Sequence, residues 1–159
     1  MVEEVQVETG KDKNAKRARL TLEEKKILVE AVHEAELKTT GEIKVHFSYL
    51  EKENDILKSA KRYFESLRMH ETTHHNGMLL YVNPSLKKFC VFGDEGIHKR
   101  VKQAFWDKLV VDVSHAIREK NLIHGVVHAV QVMGRALSEH YPASGHDQNE
   151  ISDDISESE

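Results

Sequence analysis

The apolar positions between residues 20 and 140 change period several times, and each change marks an element. Leu22, Ile27, Leu28, Ala31, Val32 and Ala35 recur at mostly helical spacing. Thr21, with Glu24 three residues on, makes a capping-box pattern, so a first helix runs to about Lys38. Thr39-Thr40-Gly41 stops it. Ile43, Val45, Phe47 and Tyr49 then alternate with polar residues, the mark of a strand with one buried face. Asn54 or Asp55 caps a second helix, which carries Ile56, Ala60, Phe64 and Leu67 on one side. Residues 70–76 read as a polar loop, and the uninterrupted apolar run 78–82 reads as a central strand covered on both faces. Asn83-Pro84-Ser85 is a turn signal, which makes 88–92 a hairpin partner for that strand. Beyond Gly93 the period is helical. Ile97, Val101, Phe105, Leu109, Val113 and Ile117 mark one or two helices, and Leu122, Val126, Val127, Val130, Met133 and Leu137 a last one ending near His140.

The order α-β-α-β-β-α-α contains one βαβ crossover, expected to be right-handed. It predicts an α/β fold in which helices cover both faces of a small mixed sheet. With 159 residues and about 150 per domain, the chain holds one domain, placed at 20–142. Charge sets off the two ends. Lys11, Lys13, Lys16, Arg17 and Arg19 face one acid, Asp12, so 1–19 reads as a flexible basic terminus that is solvated rather than bound to RNA. From 146 onward there are six acids and no Lys or Arg, so 143–159 reads as an acidic tail, mobile or loosely docked.

Composition removes several classes. A single cysteine, Cys90, leaves no intrachain disulfide and no zinc cage built from cysteines. The first sixteen residues lack the apolar core of a secretory leader, and no stretch approaches the roughly 18 apolar residues of a membrane span. A cytoplasmic monomer is therefore expected. A net charge of −4 argues against a dedicated nucleic-acid binder.

Several segments resemble the TPM domain family, often labelled a phosphatase domain. They are Thr40-Gly41-Glu42-Ile43, Met69 with Thr72 ahead of 76–82, Phe92-Gly93-Asp94-Glu95-Gly96-Ile97, Phe105-Trp106, and 149–156 in the tail. The likeness is to the short bacterial members that lack a signal peptide and a membrane helix. It implies a three-layer α/β/α sandwich. It also implies that some relatives bind calcium or another divalent cation, and that phosphatase activity has been attributed to a few. Longer members carry a Gly-Tyr-Gly-Leu-Glu type segment after the third strand, where this chain has Gly93-Asp94-Glu95-Gly96.

Three places put oxygen donors beside strand ends. Glu42 opens the first predicted strand, Asn76 precedes the second, and Asp94 and Glu95 follow the third. In open α/β sheets ligands bind at such strand ends. If the first two strands are parallel and the third antiparallel, these residues converge. Carboxylates with an amide carbonyl are hard donors that suit Ca²⁺ or Mg²⁺. The plainer alternative is that Asp94 and Glu95 only cap a helix and Glu42 is an ordinary strand start.

The first functional expectation is a divalent-cation-binding interaction or quality-control module with an unidentified protein partner. The second is a phosphatase, and its residues narrow the mechanism. The Cys-x5-Arg pattern fails, because the sixth residue after Cys90 is Gly96, and no Arg-His-Gly motif occurs. Only a metal-dependent reaction with Asp94 at its centre and a bound water as nucleophile remains.

Other motifs have bland readings. His70-Glu71-Thr72-Thr73-His74 matches His-Glu-x-x-His, yet Asn76-Gly77 follows almost at once, so the helix that a zinc protease needs is not expected. His124 and His128 stand four apart and read as a boundary face of the last helix. Cys90 lies among Phe89, Val91 and Phe92 and reads as a small hydrophobe. Trp106 reads as a packing anchor.

Overall fold

The computed structural model describes residues 2–6, 19–143 and 155–158. The elements are β1 (Val2–Gln6), α1 (Leu22–Glu36), β2 (Glu42–Ser48), α2 (Ile56–Ser66), β3 (Gly77–Asn83), β4 (Lys88–Gly93), α3 (Glu95–Glu119), α4 (Leu122–His140) and β5 (Ser156–Ser158), with a 3-10 turn at Met69–Glu71. From α1 to α4 the order is the one the periodicity predicts.

Each helix start is chemically specified. Thr21 Oγ1 accepts from Glu24 N–H while the Glu24 side chain accepts from Thr21 N–H, a complete capping box. Asp55 caps α2, Asp94 caps α3 and Asn121 caps α4, each accepting a backbone N–H. The helix after Gly93 is broken at Lys102, whose φ of 65° and ψ of 176° leave the helical region.

The sheet is mixed, in the order β1-β4-β3-β2-β5. β2 runs parallel to β3 and to β5, whereas β4 is antiparallel to β3 and to β1. Alternation along the strands separates two apolar layers. Ile43, Val45, Phe47, Met78, Leu80, Val82, Phe89 and Val91 belong to the core shared with α1, α3 and α4. Leu79, Tyr81 and Cys90 face α2 through Ile56, Ala60 and Phe64, closed off by Met69. The result is a three-layer α/β/α sandwich.

Both outer strands come from segments that the pattern left outside the sheet. Val2–Gln6 pairs with β4, and Ser156–Ser158 pairs with His46–Ser48 of β2. Neither alternates strongly, and a strand three residues long carries no period to read. The basic residues of 11–18 and the matched tail positions 149–154 lie outside the described residues.

Candidate cation site at one end of the sheet

Because β2 and β3 are parallel and β4 returns antiparallel, the starts of the first two strands and the end of the third share one edge of the sheet. Glu42 pairs with Gly77 and Met78 with Gly93, and Asp94 N–H donates to Gly77 O at 2.9 Å. Glu42, Asn76 and Asp94 therefore sit on three neighbouring strand ends, with the outer two about 10 Å apart at the backbone by strand spacing.

Each residue is held by local chemistry. Glu42 is buried, with Oε2 sealed from solvent. Asn76 is 1% exposed; its side-chain amide donates to Thr40 Oγ1 at 3.2 Å and its backbone N–H to Thr72 Oγ1 at 3.4 Å. Asp94 Oδ1 accepts from Glu95 N–H at 2.8 Å, while Oδ2 lies 3.3 Å from His75 Nδ1. Asp94 caps α3 and stands beside the end of β4. Glu95 differs from the other three, since it is exposed on the first turn of α3. Among the described residues, no group of three or more His, Cys, Asp and Glu side chains is gathered closely enough to hold a metal by itself.

A tight turn sets this edge against α3. His75 has a φ of 50°, and its carbonyl accepts from Ile97 N–H at 3.2 Å. Gly96 lies so close beneath that a Cβ there would stand 2.3 Å from His74 O and 2.5 Å from His75 O. Those neighbours are backbone and cannot swing aside. Gly96→Ala is expected to lower stability by about 1–3 kcal/mol through overpacking, read by urea denaturation. Thr40, Thr72 and His75 were not among the predicted ligands. The first two do lie in the segments that carry the family resemblance, but nothing in their spacing shows that they hold Asn76.

The distracting motifs resolve in simple ways. His70 and Glu71 occupy the single 3-10 turn and His74 a following turn, so the two histidines do not share a helix face. His124 is exposed and His128 half-buried on α4. Cys90 is buried against α2. Trp106 is fully buried, and its indole N–H donates to His98 Nδ1 at 3.1 Å.

A second polar cluster, invisible in the pattern, lies at the other end of β2. The sheet face toward α2 buries Lys44, His46 and Ser48 of β2 together with Glu53 and Asn83. Tyr81 OH and the Asn83 amide donate to the two Glu53 oxygens at 2.7 and 2.9 Å. The His46 ring lies tilted against Tyr63 and Tyr81, with centroids 3.9 and 5.1 Å away. Burial, aided by Lys44, pushes the His46 pKa down to about 4 against partial opposition from Glu53 and Glu157. Burial also raises the Tyr81 phenol above its ordinary value. For Glu157 burial acts upward, but hydrogen bonds from Lys25, Tyr49 and the Leu20 N–H outweigh it and hold the carboxyl below its usual range.

Among the described residues no helix is long and apolar enough to cross a membrane. Comparison with known proteins agrees with the architecture. The solution structure of BA42 protein from the psychrophilic bacterium Bizionia argentinensis is 35% identical, covering 87% of this chain and 94% of that one, with a TM-score of 0.80. No curated protein matches. The TPM domain matches residues 14–136, more than half of the chain, and with the sandwich and its strand-end residues in place, the chain belongs to the TPM domain family.

Proposed function

We propose that this TPM domain is a binding module, a cytoplasmic monomer that takes up a divalent cation, Ca²⁺ or Mg²⁺, at Glu42, Asn76 and Asp94 in support of a protein interaction. The observation that carries the reading is the register that sets these three oxygen-bearing residues on adjacent strand ends. Two carboxylates and an amide carbonyl form a hard donor set, and water completes the six to eight oxygens that Ca²⁺ takes. Glu95, exposed one residue beyond Asp94, stands at the rim, where it attracts the ion through bulk water. Glu42 is buried at this edge, so a cation bound beside its carboxylate would interact with it in a site shielded from bulk water.

The test is thermal unfolding with and without cation. Ca²⁺ at ten times its Kd is expected to add about 1.4 kcal/mol and raise the Tm by a few degrees. Asp94→Asn keeps an oxygen to cap α3 and removes the charge, so it should abolish the shift while leaving the cation-free Tm nearly unchanged. A Tm that does not respond to millimolar Ca²⁺ or Mg²⁺ rejects the module. Hydrolysis of an aryl phosphate that Asp94→Asn abolishes would instead make the same site a metal-dependent phosphatase, with a cation-bound water as nucleophile.

A further inference from the structure

β5 is held on β2 through its side chains as much as through its backbone. Ile155 is buried in the core shared with the helices. Ser156 Oγ accepts from Tyr63 OH at 2.6 Å and lies 2.7 Å from His46 Nδ1, and Ser158 Oγ lies 2.8 Å from His46 Nε2. The Glu157 carboxylate points the other way, into a clamp made by Lys25 Nζ at 2.8 Å, Tyr49 OH at 2.8 Å and Leu20 N–H at 3.3 Å. Four consecutive residues are thus held at three places: Ile155 in the core, Ser156 and Ser158 on the His46 ring, and Glu157 in the clamp. The strand itself is only three residues long and is joined to the body by 144–154.

This arrangement is strand addition. Main-chain pairing to a sheet edge gives affinity, and pockets for alternate side chains give selectivity. We propose that the outer edge of β2 is a recognition groove for an acidic segment of a partner protein, of the pattern apolar-Ser-Glu-Ser, and that the chain's own residues 155–158 occupy it as an intramolecular competitor. Charge complementarity fixes the partner's chemistry. The clamp presents an ammonium, a phenol and a backbone N–H, all donors, to the single acid of the segment. An apolar residue there would forfeit all three of these contacts, and a basic one would also meet the Lys25 ammonium with like charge. Gating follows from the tether. Being part of the same chain, the tail competes at every dilution, so a free segment of equal affinity displaces it only when the tail is loosened. The groove lies at the end of β2 away from Glu42 and does not depend on cation binding there.

The experiment uses the full chain and a fluorescent peptide with the sequence of residues 149–159. Ile155→Asp removes the apolar anchor of the tail and leaves the groove intact. Saturable binding to that variant, at least tenfold tighter than to the unaltered chain, is expected. A peptide carrying Glu157→Gln should bind at least fivefold more weakly, and Lys25→Ala in the Ile155→Asp chain should do the same. A folded Ile155→Asp chain that ignores the peptide, or binding indifferent to Glu157→Gln, overturns the proposal. Should Ile155→Asp fail to fold, excess unlabelled peptide added to the unaltered chain decides the matter by NMR. The amide signals of residues 156–158 should move to free-peptide positions as the peptide saturates. Signals that stay fixed at millimolar peptide make β5 a permanent strand and overturn it. A dimer of the unaltered chain that the peptide dissolves would place a second copy's tail in the groove and overturn the assignment to a partner protein.

Discussion

Trp106→Ala is expected to cost about 3–5 kcal/mol, enough to lower the Tm by on the order of 10 °C. The indole is fully buried among the side chains of α3, α4 and the sheet. It presses directly on the β4 backbone, since a Cβ at Gly93 would stand 2.4 Å from its ring. Removing the ring leaves a cavity that a strand ladder cannot close, and it takes from His98 Nδ1 the donor it accepts from. Trp106→Phe separates the two effects. It restores most of the apolar volume and leaves only the lost hydrogen bond, for which about 1 kcal/mol is expected. Because Gly93 precedes Asp94, Trp106→Ala should also weaken the Ca²⁺-dependent rise in Tm, which Trp106→Phe should preserve. Equilibrium urea denaturation of the three proteins measures the loss of stability, and thermal unfolding of each with and without Ca²⁺ measures the rise in Tm.

The second large effect is a loss of stability with acid, centred on His46. Its folded pKa of about 4 lies below the value of 6.5 expected in the unfolded chain. Between those values the unfolded chain binds a proton that the folded chain does not, so stability rises with pH across the window. The contribution is intact above pH 6.5 and is lost progressively as pH falls toward 4, about 2–3 kcal/mol in all. The groups facing the ring are Lys44, Glu53, Tyr63, Tyr81, Ser156 and Ser158, from β2, the loop before α2, α2 itself, β3 and β5, while Glu157 of β5 points away and acts on it only through its charge. Glu157 acts in the same direction at lower pH, because its lowered pKa makes its stabilisation disappear as it protonates. His46→Gln isolates the imidazole. The variant should be less stable at pH 7 and should show a flatter dependence between pH 6.5 and 4, measured by denaturation at each pH. An unchanged slope would assign the acid sensitivity to the carboxylates instead.

The strand-end residues and the seat of the tail on β2 differ in how legible they are in the sequence. Glu42, Asn76 and Asp94 could be named from the chain because each stands at a boundary where the apolar period changes, and boundaries are where strand ends fall. Their placement on neighbouring strand ends depended on the directions of three strands. The turn signal at Asn83-Pro84-Ser85 made β3 and β4 a hairpin, and the helix between β2 and β3 required a parallel pair. Glu95 differs from the other three in its burial. It is adjacent to Asp94 in sequence, yet on the first turn of α3 it is exposed while Asp94 is half-buried.

His46 gave no signal at all. Between Val45 and Phe47 it reads as the solvent side of a half-buried strand, and so do Lys44 and Ser48. That side is covered by α2 and by a segment more than a hundred residues later. Alternation reports which residues share a face and not what covers the polar face.

The chain on its own determined the succession of elements, the capped helix starts, the mixed sheet and its family, because periodicity and capping are local and act within a few residues. Only the tertiary structure decided which strands form the edges, how the tail is seated on β2, and that a lysine, a histidine and a glutamate are buried beneath α2. Those outcomes rest on contacts between residues far apart in sequence, where a three-residue strand gains its hold from pockets that exist only once the rest of the chain has folded.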